Sequence, residues 1–132
     1  MRRIKTDKAE ITFDGEYLVR IQLFENADLD GPDILAINKA KFELIGERKH
    51  VVLFVPSIFS NMTADARKVS ATSEVNRNSL AKAIIVLSPH QRIIVNFFIK
   101  FNRPPAPTSV FTNDKDALVW LEKMKKSAGV MH

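Results

Sequence analysis

The side chains able to do chemistry in this chain are few and scattered. His50, His90 and His132 are its only histidines. They fall at a strand entrance, a helix start and the chain end, so no spacing brings two of them to one metal ion or one proton-transfer pair. Asp7, Asp14, Asp28, Asp30, Asp33 and Asp114 each stand where a turn, a helix cap or a surface uses a carboxylate, whereas general acid–base work needs a pair in one pocket. The absence of cysteine excludes disulfides, thiolate zinc sites and thiol nucleophiles. Four isolated glycines cannot build a phosphate-cradling loop. The expectation is a chain that is not an enzyme, with no catalytic or metal residue and no cofactor. What remains to carry function is apolar surface and a few hydroxyls.

The elements that would position those groups are legible from periodicity and punctuation. Glu10 to Phe13 and Tyr17 to Phe24 are rich in β-branched and aromatic residues, and Asp14-Gly15 between them signals a hairpin turn. Val19, Ile21 and Leu23 share one face of the second strand, with Leu18, Arg20 and Gln22 on the other. Asp28 or Asp30 caps a helix with Pro32 in its first turn and Gly46 at its end. Ile34, Leu35, Ile37, Phe42, Leu44 and Ile45 make its apolar face. Asn38 and Lys41 intrude there, and are expected at its border with their polar ends in water.

His50 to Val55, apolar after its first residue, predicts a central strand covered on both sides, ended by Pro56. The loop Ser57 to Met62 leads to Thr63, the predicted cap of a weakly apolar helix reaching about Val75. Ala81 to Leu87 predicts another buried strand, followed by Ser88 as cap and Pro89 at the first helical position. The next helix carries Ile93, Ile94, Val95, Phe97, Phe98, Ile99 and Phe101 around a polar stripe of only Arg92, Asn96 and Lys100. Such a helix must be buried nearly all round. A second copy of the chain is the simplest cover, so Ile94, Phe97, Phe98 and Phe101 are the candidate oligomer or partner interface. A lipid or membrane contact, or another protein, is the competing explanation.

The prolines of Asn102-Arg103-Pro104-Pro105-Ala106-Pro107 stop that helix. Thr108 to Phe111 then predicts a short strand, and Thr112 or Asn113 caps a last helix with Ala117, Leu118, Trp120, Leu121 and Met124 on its inner face.

The chain's 132 residues and 45% hydrophobic content suffice for one core. We read a basic N-terminal tail over 1–8, a single domain over 9–126 and a C-terminal tail over 127–132. A net charge of +5 raises the question of nucleic acid. The excess, however, lies largely at the ends, in Arg2, Arg3, Lys5, Lys8, Lys123, Lys125 and Lys126, without interleaved aromatics, so nucleic acid is not the expected partner. No apolar run reaches the roughly 20 residues of a membrane span. Nor does an apolar leader follow Met1-Arg2-Arg3, and the expected location is cytoplasmic.

The order of two strands, then helix, strand, helix, strand, helix, strand, helix resembles the STAS domain, the fold of bacterial anti-sigma-factor antagonists of the SpoIIAA kind. The stretch Asn96-Phe97-Phe98 through Asn102-Arg103-Pro104-Pro105 to Phe111-Thr112 and Ala117-Leu118-Val119-Trp120-Leu121 is similar to small bacterial STAS-like proteins of uncharacterised function. The resemblance implies an α/β fold, with a mixed sheet of about five strands flanked by about four helices. It also implies a non-enzymatic interaction or regulatory module, often self-associating, with an unidentified regulatory protein as a further partner. A small apolar-ligand or lipid binder is the alternative.

In antagonists that work by partner switching, a serine after an aspartate at the start of the second helix is phosphorylated. Here Asn61 replaces the aspartate and Met62 the serine, within Phe59-Ser60-Asn61-Met62-Thr63-Ala64. That switch has no hydroxyl to use, which leaves Ser57, Ser60 and Thr63 as the candidate regulatory hydroxyls of the loop.

Overall fold

In a computed structural model, which describes residues 2–128, the described part of the expected N-terminal tail, from Arg2 onward, does not run free. Arg2–Lys5 is an edge strand, β1, antiparallel to β2 (Ala9–Asp14) with Ile4 opposite Ile11. β2 turns through Gly15, whose φ of +74° suits a residue without a Cβ, into β3 (Leu18–Leu23). The expected alternation holds: Val19, Ile21 and Leu23 are buried and their neighbours half-buried.

A two-residue strand, β4 (Asp28–Leu29), precedes α1 (Gly31–Ile45). Of the two candidate caps it is Asp30 that serves, in a reciprocal capping box with Asp33. Gly46 closes the helix at φ +64°. Then come β5 (His50–Val55), the two-residue β6 (Asn61–Met62) and α2 (Ala64–Ser70). α2 stops five residues short of the expected end at Val75. Side chains there compete for the backbone, as Thr72 Oγ1 donates to Val69 O and Asn76 Nδ2 donates to Ser70 O and Thr72 O.

β7 (Ser79–Ile85) begins two residues before the sequence signal, and α3 (Pro89–Phe97) starts at the predicted Ser88 cap. α3 passes directly into a π-helical turn, Phe98–Asn102, which Arg103 ends in a left-handed conformation. β8 (Thr108–Phe111) and α4 (Asp114–Ser127), capped by Asn113, complete the chain. The proposed C-terminal tail thus begins inside α4 at Ser127, and its residues 129–132, with His132, lie outside the described residues.

The main sheet has six strands in the order β1-β2-β3-β5-β7-β8, one more than expected because β1 joins it, and β4 and β6 form a separate small ladder. β3, β5, β7 and β8 are parallel. Strand order advances in one direction from β3, so right-handed crossovers put α1, α2 and α3 on the same face. That leaves the opposite face to α4, which packs across β7 and β5. Ile11, Val19, Ile21 and Val52 meet Ile37 and Leu44 on the first side, while Leu53, Ala81 and Ala83 meet Ala117 and Leu121 on the second. Trp120 is half-buried against Phe111, rings 5.5 Å apart, at the margin of that second core. Leu35, expected on the inner face of α1, is exposed instead. α1 and α2 approach closely at Gly31, where a Cβ would overlap the Asp65 carboxylate.

Candidate functional site

The carboxyl ends of β5 and β7 lie beside the loop 57–60 and the start of α3, and one buried amide ties them together. Gln91 Nε2 donates to Ser57 O at 3.0 Å and Ile58 O at 3.4 Å, while its Oε1 accepts from Leu87 N at 2.8 Å. A residue that reads in sequence as an unremarkable helix polar thus fixes three backbone segments at once. Its position three residues after the Ser88 cap, where Oγ accepts from Gln91 N, was the available signal.

This clamp holds an apolar surface outward. Ile93, Phe97 and Phe101 of α3 and the π turn are 69%, 49% and 60% exposed, and Ile58, Phe59 and Leu87 are exposed beside the clamp. The rings of Phe97 and Phe101 lie 4.5 Å apart, and the Arg67 guanidinium sits 5.9 Å from the Phe97 ring. Of the four predicted interface residues, Phe97 and Phe101 are on this surface and Ile94 is half-buried. Phe98 is a correction: it is buried and faces the interior, so it is not an interface residue within the folded chain. The helix expected to be covered nearly all round is covered by this chain on one side only.

The predicted regulatory hydroxyls are engaged in local structure. Ser57 is buried and donates to Phe24 O at 2.8 Å, Ser60 donates to Ser57 O at 2.7 Å, and Thr63 Oγ1 accepts from Ala66 N as the α2 cap. They shape the loop from within.

Under α3 lies a cavity of about 90 Å³. Its walls are mostly apolar, with Phe54, Ile84, Ile94, Val95 and Phe98 among them, and Lys82 and Arg67 are the cations that reach it.

Lys82, itself half-buried, also stands near a group of buried polar side chains that sequence reasoning missed. Asn38 and Lys41, expected at a wet border, are 7% and 4% exposed. The α1 stripe runs across the sheet where the 71–78 segment folds over it, which removes the water they were assigned. Lys41 Nζ donates to Val75 O at 3.0 Å and stands 4.6 Å from the Phe42 ring centroid. Burial, reinforced by Lys82 and Arg77, pushes its pKa down to about 7. His50, fully buried, shares a hydrogen bond between Nδ1 and Arg48 O at 3.0 Å, and its Nε2 has no partner. Burial and then Lys41 push His50 down to about 4, so it is neutral at pH 7. Lys82 is lowered to about 8 by burial. Among the described residues no three His, Asp or Glu side chains gather as metal ligands, and no helix is long and apolar enough to cross a membrane.

A protein-family model described as a domain of unknown function, DUF7793, matches residues 11–125. Among solved structures, the chain is similar to an uncharacterised protein of the DUF3478 family with a SpoIIAA-like fold from Shewanella loihica PV-4. That match has 18% identity and a TM-score of 0.57, over 86% of this chain and 91% of the other. The likeness establishes the SpoIIAA-like fold. A protein of unknown function from Arthrobacter sp. FB24 matches at 25% identity and a TM-score of 0.29, over 85% of this chain and 97% of that one. No curated protein matches.

Proposed function

We propose that this chain, which belongs to the DUF7793 family and has a SpoIIAA-like fold, is a non-enzymatic cytoplasmic interaction module that self-associates through the face of α3 and its π turn. The observation that carries this reading is the exposure of Ile93, Phe97 and Phe101 together with Ile58, Phe59 and Leu87 around one buried clamp. Six such side chains present apolar area on the order of several hundred Å², at or above the largest patch on a typical monomer. That approaches the roughly 800 Å² per partner of a standard interface, and a twofold axis lets one patch serve both subunits.

The charge around the face decides how such a dimer would behave. No Asp or Glu occurs from Val75 to Asn113, and Arg92, Lys100 and Arg103 are exposed along the same segment. Like charges then meet across the twofold, so added salt strengthens self-association by screening them. An acidic protein partner on the same face gives the opposite dependence. Amide hydrogen exchange tests the reading: residues 93–101 and 57–60 gain protection as protein concentration rises. Protection that is independent of concentration contradicts it.

A further inference from the structure

The cavity under α3 is lined by a cation, Lys82, that no side chain among the described residues pairs with. The parallel register sets Lys82 opposite Val52 and Ile84 opposite Phe54, so Lys82 extends on the same sheet face as the apolar floor of the cavity. Among the described residues Lys82 forms no ion pair. Several other polar groups of the wall are already engaged. The Gln91 amide is held by three backbone groups, Ser60 Oγ donates to Ser57 O, and Arg67 donates one N–H to Met62 O at 3.0 Å.

We propose that this cavity binds a small amphiphilic carboxylate, with the carboxylate on the Lys82 ammonium and the alkyl body against Phe54, Ile84, Ile94 and Phe98. The chemistry of the walls selects this class. A neutral apolar ligand would cover the ammonium from water and give it no acceptor in exchange, which is costly. A phosphate, with acceptor oxygens on every side, fits poorly against walls that are mostly apolar. A single carboxylate on an alkyl chain matches both the Lys82 ammonium and the apolar walls. The site is separate from the outer face of α3, and its occupancy does not require self-association.

The test compares hexanoate with 1-hexanol by chemical-shift titration of the intact protein at pH 7. Wild type binds hexanoate at least about tenfold tighter than hexanol, with shifts at Ile84, Ile94 and Phe98, as a charge-assisted hydrogen bond provides. Lys82→Met reduces that preference to about one while retaining hexanol binding. Ile94→Trp, which fills the cavity, abolishes both. Phe97→Ser with Phe101→Ser leaves both unchanged. Equal binding of the two probes, or no shifts at the cavity residues of wild type, overturns the proposal. So does loss of hexanoate binding in the Phe97→Ser, Phe101→Ser protein, which would place the ligand on the outer surface.

Discussion

Phe97 and Phe98 are adjacent in the chain and opposite in environment, the first 49% exposed and the second 6%. Phe98 closes the cavity under α3, and Phe97 stacks on Phe101 over the surface. Substitutions at the two positions therefore separate stability from association.

Phe98→Ala removes a buried ring from a site flanked by an existing cavity and costs about 3 kcal/mol or more in a urea-unfolding measurement. Phe97→Ser costs less than about 1 kcal/mol. A stability loss at Phe97 equal to that at Phe98 would show that both rings belong to the core.

Stability is predicted to rise with pH in two windows. Lys41 has a folded pKa of about 7 against 10.5 when unexposed to the fold, so between those values the unfolded chain holds the extra proton and stability climbs with pH. Below about pH 7 both states are protonated and the destabilisation is complete. His50, about 4 folded against 6.5 unfolded, gives the same sign between pH 4 and 6.5. Thermal melts across pH 4 to 10 check this, and a Tm that falls from pH 7 to pH 10 contradicts it.

Lys41→Met replaces a buried ammonium by an apolar chain of similar length. At pH 7 the variant is expected to be between neutral and about 2 kcal/mol more stable. It also removes the positive neighbour of His50, so the His50 pKa moves upward from about 4, as an NMR titration of its ring protons will show. An unchanged His50 titration would deny the electrostatic influence of Lys41 on His50.

Gln91→Leu leaves Leu87 N and Ile58 O without their partner and removes one of the donors to Ser57 O. A cost of about 2 kcal/mol is expected, with faster amide exchange in residues 57–60. A cost without any change in loop exchange would deny Gln91 its role as the clamp.

Much of the architecture was legible because punctuation and period agreed. Asp30 with Asp33, Ser88-Pro89 and Asn113 mark helix starts, and the Val19, Ile21, Leu23 alternation marks a strand. The strand of Arg2–Lys5 was not, since two arginines and a lysine in four residues read as a solvated tail until β2 offers an edge to pair with. The candidate site was legible only in part. A surplus of apolar residues in α3 announced an unpartnered face, but which phenylalanine turns inward depends on where the helix meets Phe54 and Ile84. Lys41 and Asn38 were misplaced because their burial is decided by the 71–78 segment, which folds across α1 from over thirty residues away. Gln91 gave no signal beyond its place after the cap, since its acceptors lie in a loop distant in sequence.

The central claim is self-association through the outer face of α3, and the solution mass of the intact protein at two concentrations tests it most directly. Light scattering on a size-exclusion column is predicted to give twice the mass of the 15.0 kDa chain or more, and to return the Phe97→Ser, Phe101→Ser protein to the mass of one chain. A wild-type protein that stays at one chain mass at both concentrations contradicts the claim.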